Sequence, residues 1–215
     1  MKSFSQNSED LFIFDLFLKK KIQTGTFLEF GAWDGIYYSN CKLFADNGWN
    51  GFFIEGDEKR YKSLLSNYKD NKNISCIRKF INSKYNLNDL VEEYKISNLD
   101  ILSIDIDGKD LTELKELKSI KPTIIVIEFN MTIPFDVEYE DLEGSNGNGS
   151  SYLSIKNYLE NKEYELIFVT TDNLIFIDKN FNNKEFEVWN AKKIIDKFNP
   201  VRFGFNNFGE MFFIK

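Results

Sequence analysis

The stretch TGTFLEFGAWDGIYYSNCKLF, residues 24–44, decides the fold. Its apolar run at residues 26–30 is typical of a buried strand, and residues 39–47 have a helical pattern that Gly48 ends. Gly31 and Gly35 lie between the two, where glycine permits backbone conformations and close approaches that side chains prevent. The stretch therefore predicts a strand–turn–helix unit whose turn approaches a ligand.

The same pattern recurs along the chain. Strands are predicted at residues 51–55, in NISCIRKF (73–80), in LDILSIDIDGKD (99–110) and in KPTIIVIEFN (121–130), with helices at 9–21, 58–68, 87–94 and 110–118. Because each strand is a nearly continuous apolar run, both of its faces are expected to be covered by helices. This alternation predicts an α/β fold with a doubly wound, mostly parallel sheet.

The C-terminal part departs from this alternation. After a helix at 152–161, apolar runs at 164–169 and 174–177 flank the turn TTDN, which predicts an antiparallel hairpin and a seven-stranded sheet. Residues 1–215 are expected to form a single domain with a core at about 5–178, and residues 180–215 to form a cap or an oligomer contact. The Gly- and Asn-rich loop 137–151 is predicted to cover an acceptor. The oligomeric state stays open.

Composition excludes several classes of protein. The net charge of −7 and the lack of a Lys/Arg block argue against a nucleic-acid partner. Cys41 and Cys76 lack metal-site or redox spacing and are expected to be free thiols in a reducing compartment. The N-terminus carries acids where a signal peptide needs basic residues, so no signal peptide is expected. The sequence has no run of 18 apolar residues, so no membrane span is predicted. A cytoplasmic protein is expected.

The chain contains no histidine. Serine-protease-like triads, His-ligated zinc and His general bases are therefore excluded. Any proton transfer must use carboxylates, Lys, Tyr or a metal-bound water, or the reaction must proceed without a base.

Acids end four of the five predicted parallel strands. These are Glu29, Glu55, Asp105 with Asp107, and Glu128. Ligands of open parallel sheets bind at the carboxyl ends of the strands, so these acids are candidates for the site.

The first turn has Gly-x-x-x-Gly spacing, unlike the Gly-x-Gly-x-x-Gly of dinucleotide sites. Glu29 precedes its first glycine and Asp34 its last, which disfavours a phosphate and favours a cationic ligand. Glu55, at the end of the second strand, is placed to accept both hydroxyls of a ribose. A nucleoside with a cationic amino-acid tail is S-adenosylmethionine (SAM).

Several motifs in order resemble the FkbM-like class of SAM-dependent methyltransferases. They are SQNSED (5–10), FLEFGAWDG (27–35), GFFIEGD (51–57), LSIDIDGKD (102–110), IVIEFN (125–130) and the segment 149–177. The SIDIDG and IEFN pair is similar to a subgroup with bacterial capsule-modifying O-methyltransferases, including enzymes that act on a phosphoramidate group. The resemblance implies a class I methyltransferase fold, related to the Rossmann fold, and a small or glycan-borne acceptor.

The resemblance also assigns residues. It implies that Glu29, Gly31 and Asp34 line the methionine end of SAM, that Glu55 holds the ribose, and that Gln6 closes over the cofactor. Gln6 is equally consistent with a helix start.

The residues after the third strand have two readings. Phe80 and Ile81 either sandwich the adenine or fill the core.

Asp105 and Asp107 are two residues apart, so their side chains share one face of a strand, and Glu128 ends the strand expected beside it. Three converging carboxylates repel unless one is protonated or a cation lies among them. Either backbone N–H groups of the next helix satisfy them, or they bind Mg²⁺ or Mn²⁺ through oxygen. Any of the three is a candidate general base, and Asp105 also a cofactor contact.

The sequence thus favours a SAM-dependent O-methyltransferase. Two alternatives stay open. One is an NAD- or nucleotide-sugar-binding enzyme on a related sheet, and the other is a catalytically silent binding module.

Overall fold

A computed structural model describes residues 1–82, 85–106, 108–141, 149–198, 202–205, 208 and 210–214. Asp107 and residues 142–148 of the predicted acceptor loop lie outside these ranges. The helices are α1 (Glu9–Lys19), α2 (Lys42–Asp46), α3 (Glu58–Tyr68), α4 (Leu87–Glu93), α5 (Asp110–Glu116), α6 (Tyr152–Asn161), α7 (Lys179–Asn182) and α8 (Ala191–Phe198). The strands are β1 (Thr26–Phe30), β2 (Asn50–Ile54), β3 (Ile74–Ile77), β4 (Ile101–Ile104), β5 (Ile124–Glu128), β6 (Tyr164–Val169), β7 (Asn173–Asp178), β8 (Arg202–Phe205) and β9 (Met211–Ile214).

The main sheet has seven strands in the order β3-β2-β1-β4-β5-β7-β6. The first five run parallel, and β7 is antiparallel to both β5 and β6. The predicted doubly wound sheet with its antiparallel hairpin is therefore confirmed. The order in which strands are added to the sheet reverses between β1 and β4, and open parallel sheets bind ligands at such a point.

Helices cover both faces of the sheet, as the continuous apolar strands predict. In β1, Phe27 packs into a core with α1, α2 and α3, and Leu28 packs into a second core with α4, α5 and α6. Both residues are fully buried. Burial on both faces explains why the strands show little polar alternation.

The predicted helix at residues 39–47 begins later, at Lys42. Ser39 Oγ and the backbone N–H groups of Asn40 and Cys41 donate hydrogen bonds to the Glu29 carboxylate, at 2.7, 2.9 and 3.3 Å. These three residues therefore form a turn around Glu29 in place of the first helical turn. The helix predicted at 9–21 ends two residues earlier, at Lys19.

Part of the segment after residue 180 packs onto the sheet. Ile194 of α8 and Trp189 are buried in the core shared with α4, α5 and α6, and Trp189 N–H donates to Leu166 O of β6 at 2.7 Å. β8 and β9 form a separate antiparallel pair. None of the helices in the described ranges has the length and apolarity needed to cross a bilayer.

Candidate functional site

The strand register brings three of the predicted residues to one row. Phe30 of β1 pairs with Ile54 of β2 on one side and with Ile104 of β4 on the other. The next residue along each strand is Gly31, Glu55 and Asp105, respectively. Three separate motifs thus meet at the carboxyl edge, at the reversal point of the sheet.

Position 31 requires a glycine because the backbone of Asp105 lies too close to it for a side chain. The φ of Gly31 is +69°, and a Cβ built on it would lie 1.8 Å from the carbonyl oxygen of Asp105. Real Cβ atoms do not come this close to a backbone atom, so any side chain would push β1 and β4 apart. The sequence attributed this glycine to a ligand alone. The backbone of Asp105 is the neighbour that fixes it.

Glu55 is buried and holds two loops together. Its Oε2 accepts a hydrogen bond from Trp33 N–H at 3.0 Å, and its Oε1 accepts one from Asp57 N–H at 2.7 Å. Each carboxylate oxygen has lone pairs left for further donors. Glu55 is therefore a fixed acceptor pair at the end of β2, with its position set by the β1–α2 loop.

Glu29 is a buried carboxylate below the loop. The pKa of Glu29 is raised to about 7, because the increase caused by burial, with a smaller one from the charge of Asp105, outweighs the decrease caused by the hydrogen bonds from Ser39, Asn40 and Cys41. A carboxylate poised near neutrality responds to a nearby cation, which favours its ionised form.

Asn40 is a site residue that the sequence did not single out. Its Nδ2 donates to Ser103 Oγ at 3.0 Å, and its buried Oδ1 has no hydrogen-bond partner among the described residues. A buried polar atom without a partner costs free energy unless a ligand or water satisfies it. No sequence pattern marked Asn40, because its position depends on the turn around Glu29.

Asp34 performs a local structural role. Its Oδ1 accepts the N–H groups of Ile36 and Tyr37 at 2.9 and 2.8 Å, a side-chain turn within the β1–α2 loop. It is not among the described residues that line the cavity below. The resemblance placed Asp34 at the methionine end of SAM, whereas in the structure its carboxylate shapes the loop.

A cavity of about 540 Å³ opens at this edge of the sheet. Its size fits a nucleoside-sized ligand. Of the predicted residues, seven line it: Gln6, Glu29, Gly31, Glu55, Phe80, Ile81 and Asp105. Other side chains in its wall include Trp33, Tyr37, Tyr38, Asn40, Asp57, Arg60, Lys79 and Lys109.

Phe80 is 67% exposed beside the cavity, so it does not fill the core. Its ring lies against Gly56, where a Cβ would meet a ring carbon at 2.3 Å. Ile81 is partly buried and packs on the core while also lining the cavity. This leaves Phe80 as the available aromatic face on that side.

The N-terminal segment is tied to the turn between β6 and β7. Gln6 Nε2 donates to Asp172 Oδ2 at 2.8 Å, and the buried Glu9 accepts Thr170 Oγ1 and Asn173 Nδ2 at 2.9 and 3.1 Å. These bonds bring Gln6 to the wall of the cavity although it lies far from the sheet in sequence. SQNSED is therefore both a helix start and part of the site.

Asp110, the first residue of α5, orders the loop after β4. Its carboxylate accepts the N–H groups of Ile106 and Gly108 at 2.9 and 3.1 Å. Its pKa is raised to about 7, because burial and the nearby charge of Asp105 raise it by more than these hydrogen bonds lower it. Backbone N–H groups were one predicted set of partners for the acids at the strand ends. In the structure, Asp110 is an acid that binds such groups in this loop.

The predicted metal ligands are only partly placed. Asp105 lines the cavity, Glu128 ends the adjacent β5 but is not among the described lining residues, and Asp107 lies outside the described ranges. Among the residues the structure describes, no three His, Cys, Asp or Glu side chains are grouped so as to hold a metal ion. The described residues do not form a metal site by themselves, and the metal stays a prediction.

Comparisons with known proteins agree with this geometry. Residues 18–166 match the model of the Methyltransferase FkbM domain. No curated protein sequence gives a significant match.

Two solved structures show the same fold at low sequence identity. The N-terminal domain of EvdMO1 with S-adenosylhomocysteine (SAH) bound is 13% identical with a TM-score of 0.54, over 81% of this chain and 82% of that chain. An O-methyltransferase from Bacillus cereus in complex with SAH is 16% identical with a TM-score of 0.53, again over 81% and 82%. TrmK from M. capricolum in complex with SAH is 18% identical with a TM-score of 0.49. The match covers 73% of this chain and 63% of the TrmK chain.

The family match covers most of the sheet, including β1, β2 and β4, whose carboxyl ends build the cavity. The chain therefore belongs to the FkbM family of SAM-dependent methyltransferases.

Proposed function

We propose that this methyltransferase transfers the SAM methyl group to a hydroxyl of a small or glycan-borne acceptor, in the modification of a capsule or other surface polysaccharide, and that it works in the cytoplasm. The observation that carries the O-methyl assignment is the position of Asp105, an acid one residue past β4, in the wall of the cavity. An acceptor hydroxyl needs such a group to receive its proton, and the chain has no histidine to do so.

SAM would occupy the cavity through groups already in place. Glu55 would accept the two ribose hydroxyls while keeping its bonds to the Trp33 and Asp57 N–H groups. Glu29 and Asn40 Oδ1 would lie at the ammonium of the methionine end, since both line the cavity after β1. Phe80 would cover one face of the adenine.

The reaction would be an in-line displacement. SAM, held by Glu55, Glu29 and Asn40, would supply the methyl group to the acceptor oxygen and leave as the neutral thioether SAH. The hydroxyl proton passes to a carboxylate, for which Asp105 is the described candidate, with Asp107 and Glu128 as the others that the sequence predicts. Much of the catalysis comes from holding the two reactants in line.

Calorimetry with SAM, SAH and NAD tests the cofactor assignment. Two charge-assisted hydrogen bonds to the ribose contribute roughly 1.5–3 kcal/mol each, so Glu55→Ala should weaken SAM binding on the order of a hundredfold or more. Glu58→Ala is the matched control, because Glu58 is an exposed acid that pairs with Lys62 outside the cavity. Thermal unfolding of both variants separates lost binding from lost folding.

Methyl transfer from labelled SAM to capsule-type sugars and nucleotide-linked intermediates tests the acceptor class. Labelled product with one of these hydroxyl compounds is the expected result. Tight binding of NAD with no binding of SAM would support the dinucleotide alternative. SAM binding without transfer to any acceptor would support the silent binding module.

A further inference from the structure

The loop between β1 and α2 presents three aromatic rings to the cavity. Trp33, Tyr37 and Tyr38 line it, yet they are 43%, 51% and 52% exposed. The rings of Trp33 and Tyr37 lie 5.4 Å apart, and those of Tyr37 and Tyr38 lie 3.9 Å apart. We call these three residues the aromatic shelf. Clustered exposed aromatic side chains in a cavity wall are typical of a binding surface.

The backbone of the shelf is held in a costly conformation. Trp33 and Tyr38 have φ values of +52° and +55°, in the left-handed region that bulky residues rarely adopt. The loop is fixed there by Glu55, which accepts the Trp33 N–H, and by Tyr68, whose hydroxyl donates to Gly35 O at 2.6 Å. Such strain is kept where the surroundings determine it and where position matters for function.

Two cations flank the shelf because of the strand order. Arg60 follows β2, the shelf follows β1, and Lys109 follows β4, and the sheet order is β2-β1-β4. The Arg60 guanidinium lies 4.1 Å from the centre of the Trp33 ring. Neither Arg60 nor Lys109 forms an ion pair with any residue in the described ranges, whereas the third cation of the wall, Lys79, pairs with Glu93 at 3.2 Å.

Three of the four acids in the wall accept backbone hydrogen bonds, and the fourth, Asp105, is the proposed base. Glu29 and Glu55 accept backbone hydrogen bonds at the proposed cofactor positions, and Asp57 caps α3 by accepting Arg60 N–H at 2.9 Å. SAM brings a net positive charge, which these acids match. Arg60 and Lys109 form no ion pair within the described ranges, so their charges are available to an anion from another molecule.

Resting on the proposed function, we infer that the acceptor is an anionic sugar, with its ring on the aromatic shelf and its phosphate or carboxylate held by Arg60 and Lys109. Aromatic faces pack against the C–H faces of a sugar ring, and a guanidinium binds phosphate or carboxylate through two parallel hydrogen bonds. A neutral sugar would use the shelf alone.

The test uses the SAH-saturated enzyme and three probes: glucose 1-phosphate, glucuronate and glucose. Calorimetry or ligand-observed NMR should show at least one charged probe binding about tenfold or more tighter than glucose. Preference for the phosphate or for the carboxylate identifies the anion. Equal affinity for charged and neutral probes, or no binding of any of them, overturns the proposal.

Variants assign the contacts. Arg60→Gln and Lys109→Gln should each abolish most of the preference for the charged probe and leave the affinity for SAH unchanged, whereas Trp33→Ala should weaken all probes. Lys59→Gln is the matched control, because it removes the same charge from the neighbouring exposed position of α3 outside the cavity. A fall in SAH affinity in Arg60→Gln and Lys109→Gln, equal to the fall in probe affinity, would assign both cations to the cofactor and overturn the inference. Failure of the wild-type enzyme to bind SAH would instead refute the proposed function.

Discussion

The substitution Gly31→Ala tests two reasons why position 31 needs a glycine. The first is conformational, since Gly31 has a φ of +69°, and an alanine in the left-handed region costs about 1–2 kcal/mol. The second is steric, because the new Cβ would lie 1.8 Å from the carbonyl oxygen of Asp105. Overpacking of this kind costs typically about 1–3 kcal/mol. The variant should therefore lose about 2–5 kcal/mol of unfolding free energy.

Gly48→Ala is the matched control. Gly48 has a φ of +81°, and a Cβ built there has no described atom within 4 Å. Its alanine variant carries the conformational cost alone, about 1–2 kcal/mol. Urea unfolding of both variants measures the difference, and calorimetry with SAH measures the site. We expect only Gly31→Ala to weaken SAH binding, because the β1 and β4 ends must separate. Equal destabilisation by the two substitutions, with SAH affinity unchanged, would refute the close approach as the reason for Gly31.

Three further predictions follow from the buried acids and the strand-end carboxylates. The ammonium group of bound SAH favours the carboxylate form of Glu29, so SAH affinity should rise by up to about tenfold per pH unit as pH increases toward about 7 and then level off. Glu29→Gln should flatten this pH profile of affinity. An unchanged profile in the variant would remove Glu29 from the cofactor site. Glu9→Ala should cost about 3 kcal/mol or more in urea unfolding, because buried donors of the β6–β7 turn lose their acceptor; a loss below about 1 kcal/mol would mean that the N-terminal segment is only loosely attached. If Asp105, Asp107 and Glu128 hold Mg²⁺ or Mn²⁺, EDTA should abolish methyl transfer and either ion should restore it; full activity in EDTA-treated enzyme would leave these carboxylates as bases without a metal.

The sequence by itself determined the architecture. Continuous apolar strands alternating with amphipathic helices leave a doubly wound sheet as the arrangement that covers both faces of each strand, and the TTDN turn between two apolar runs added the antiparallel hairpin. The sequence also predicted that Glu29, Glu55 and Asp105 lie at the same edge of the sheet, because parallel strands bring their carboxyl ends to one edge. Those three acids line the cavity as predicted.

Only the tertiary structure decided which groups face the cavity and which serve the chain. Asp34 looks like a site acid in the sequence, but its carboxylate accepts neighbouring backbone N–H groups, as does that of Asp110, which the sequence did not single out. Asn40 and Arg60 carry no motif, and they enter the wall through the turn around Glu29 and the packing of α3 beside Trp33. Spacing along the chain reports periodicity and strand ends, whereas hydrogen-bond partners and close approaches arise between residues far apart in sequence. Register and loop conformation therefore decided the chemistry of the site.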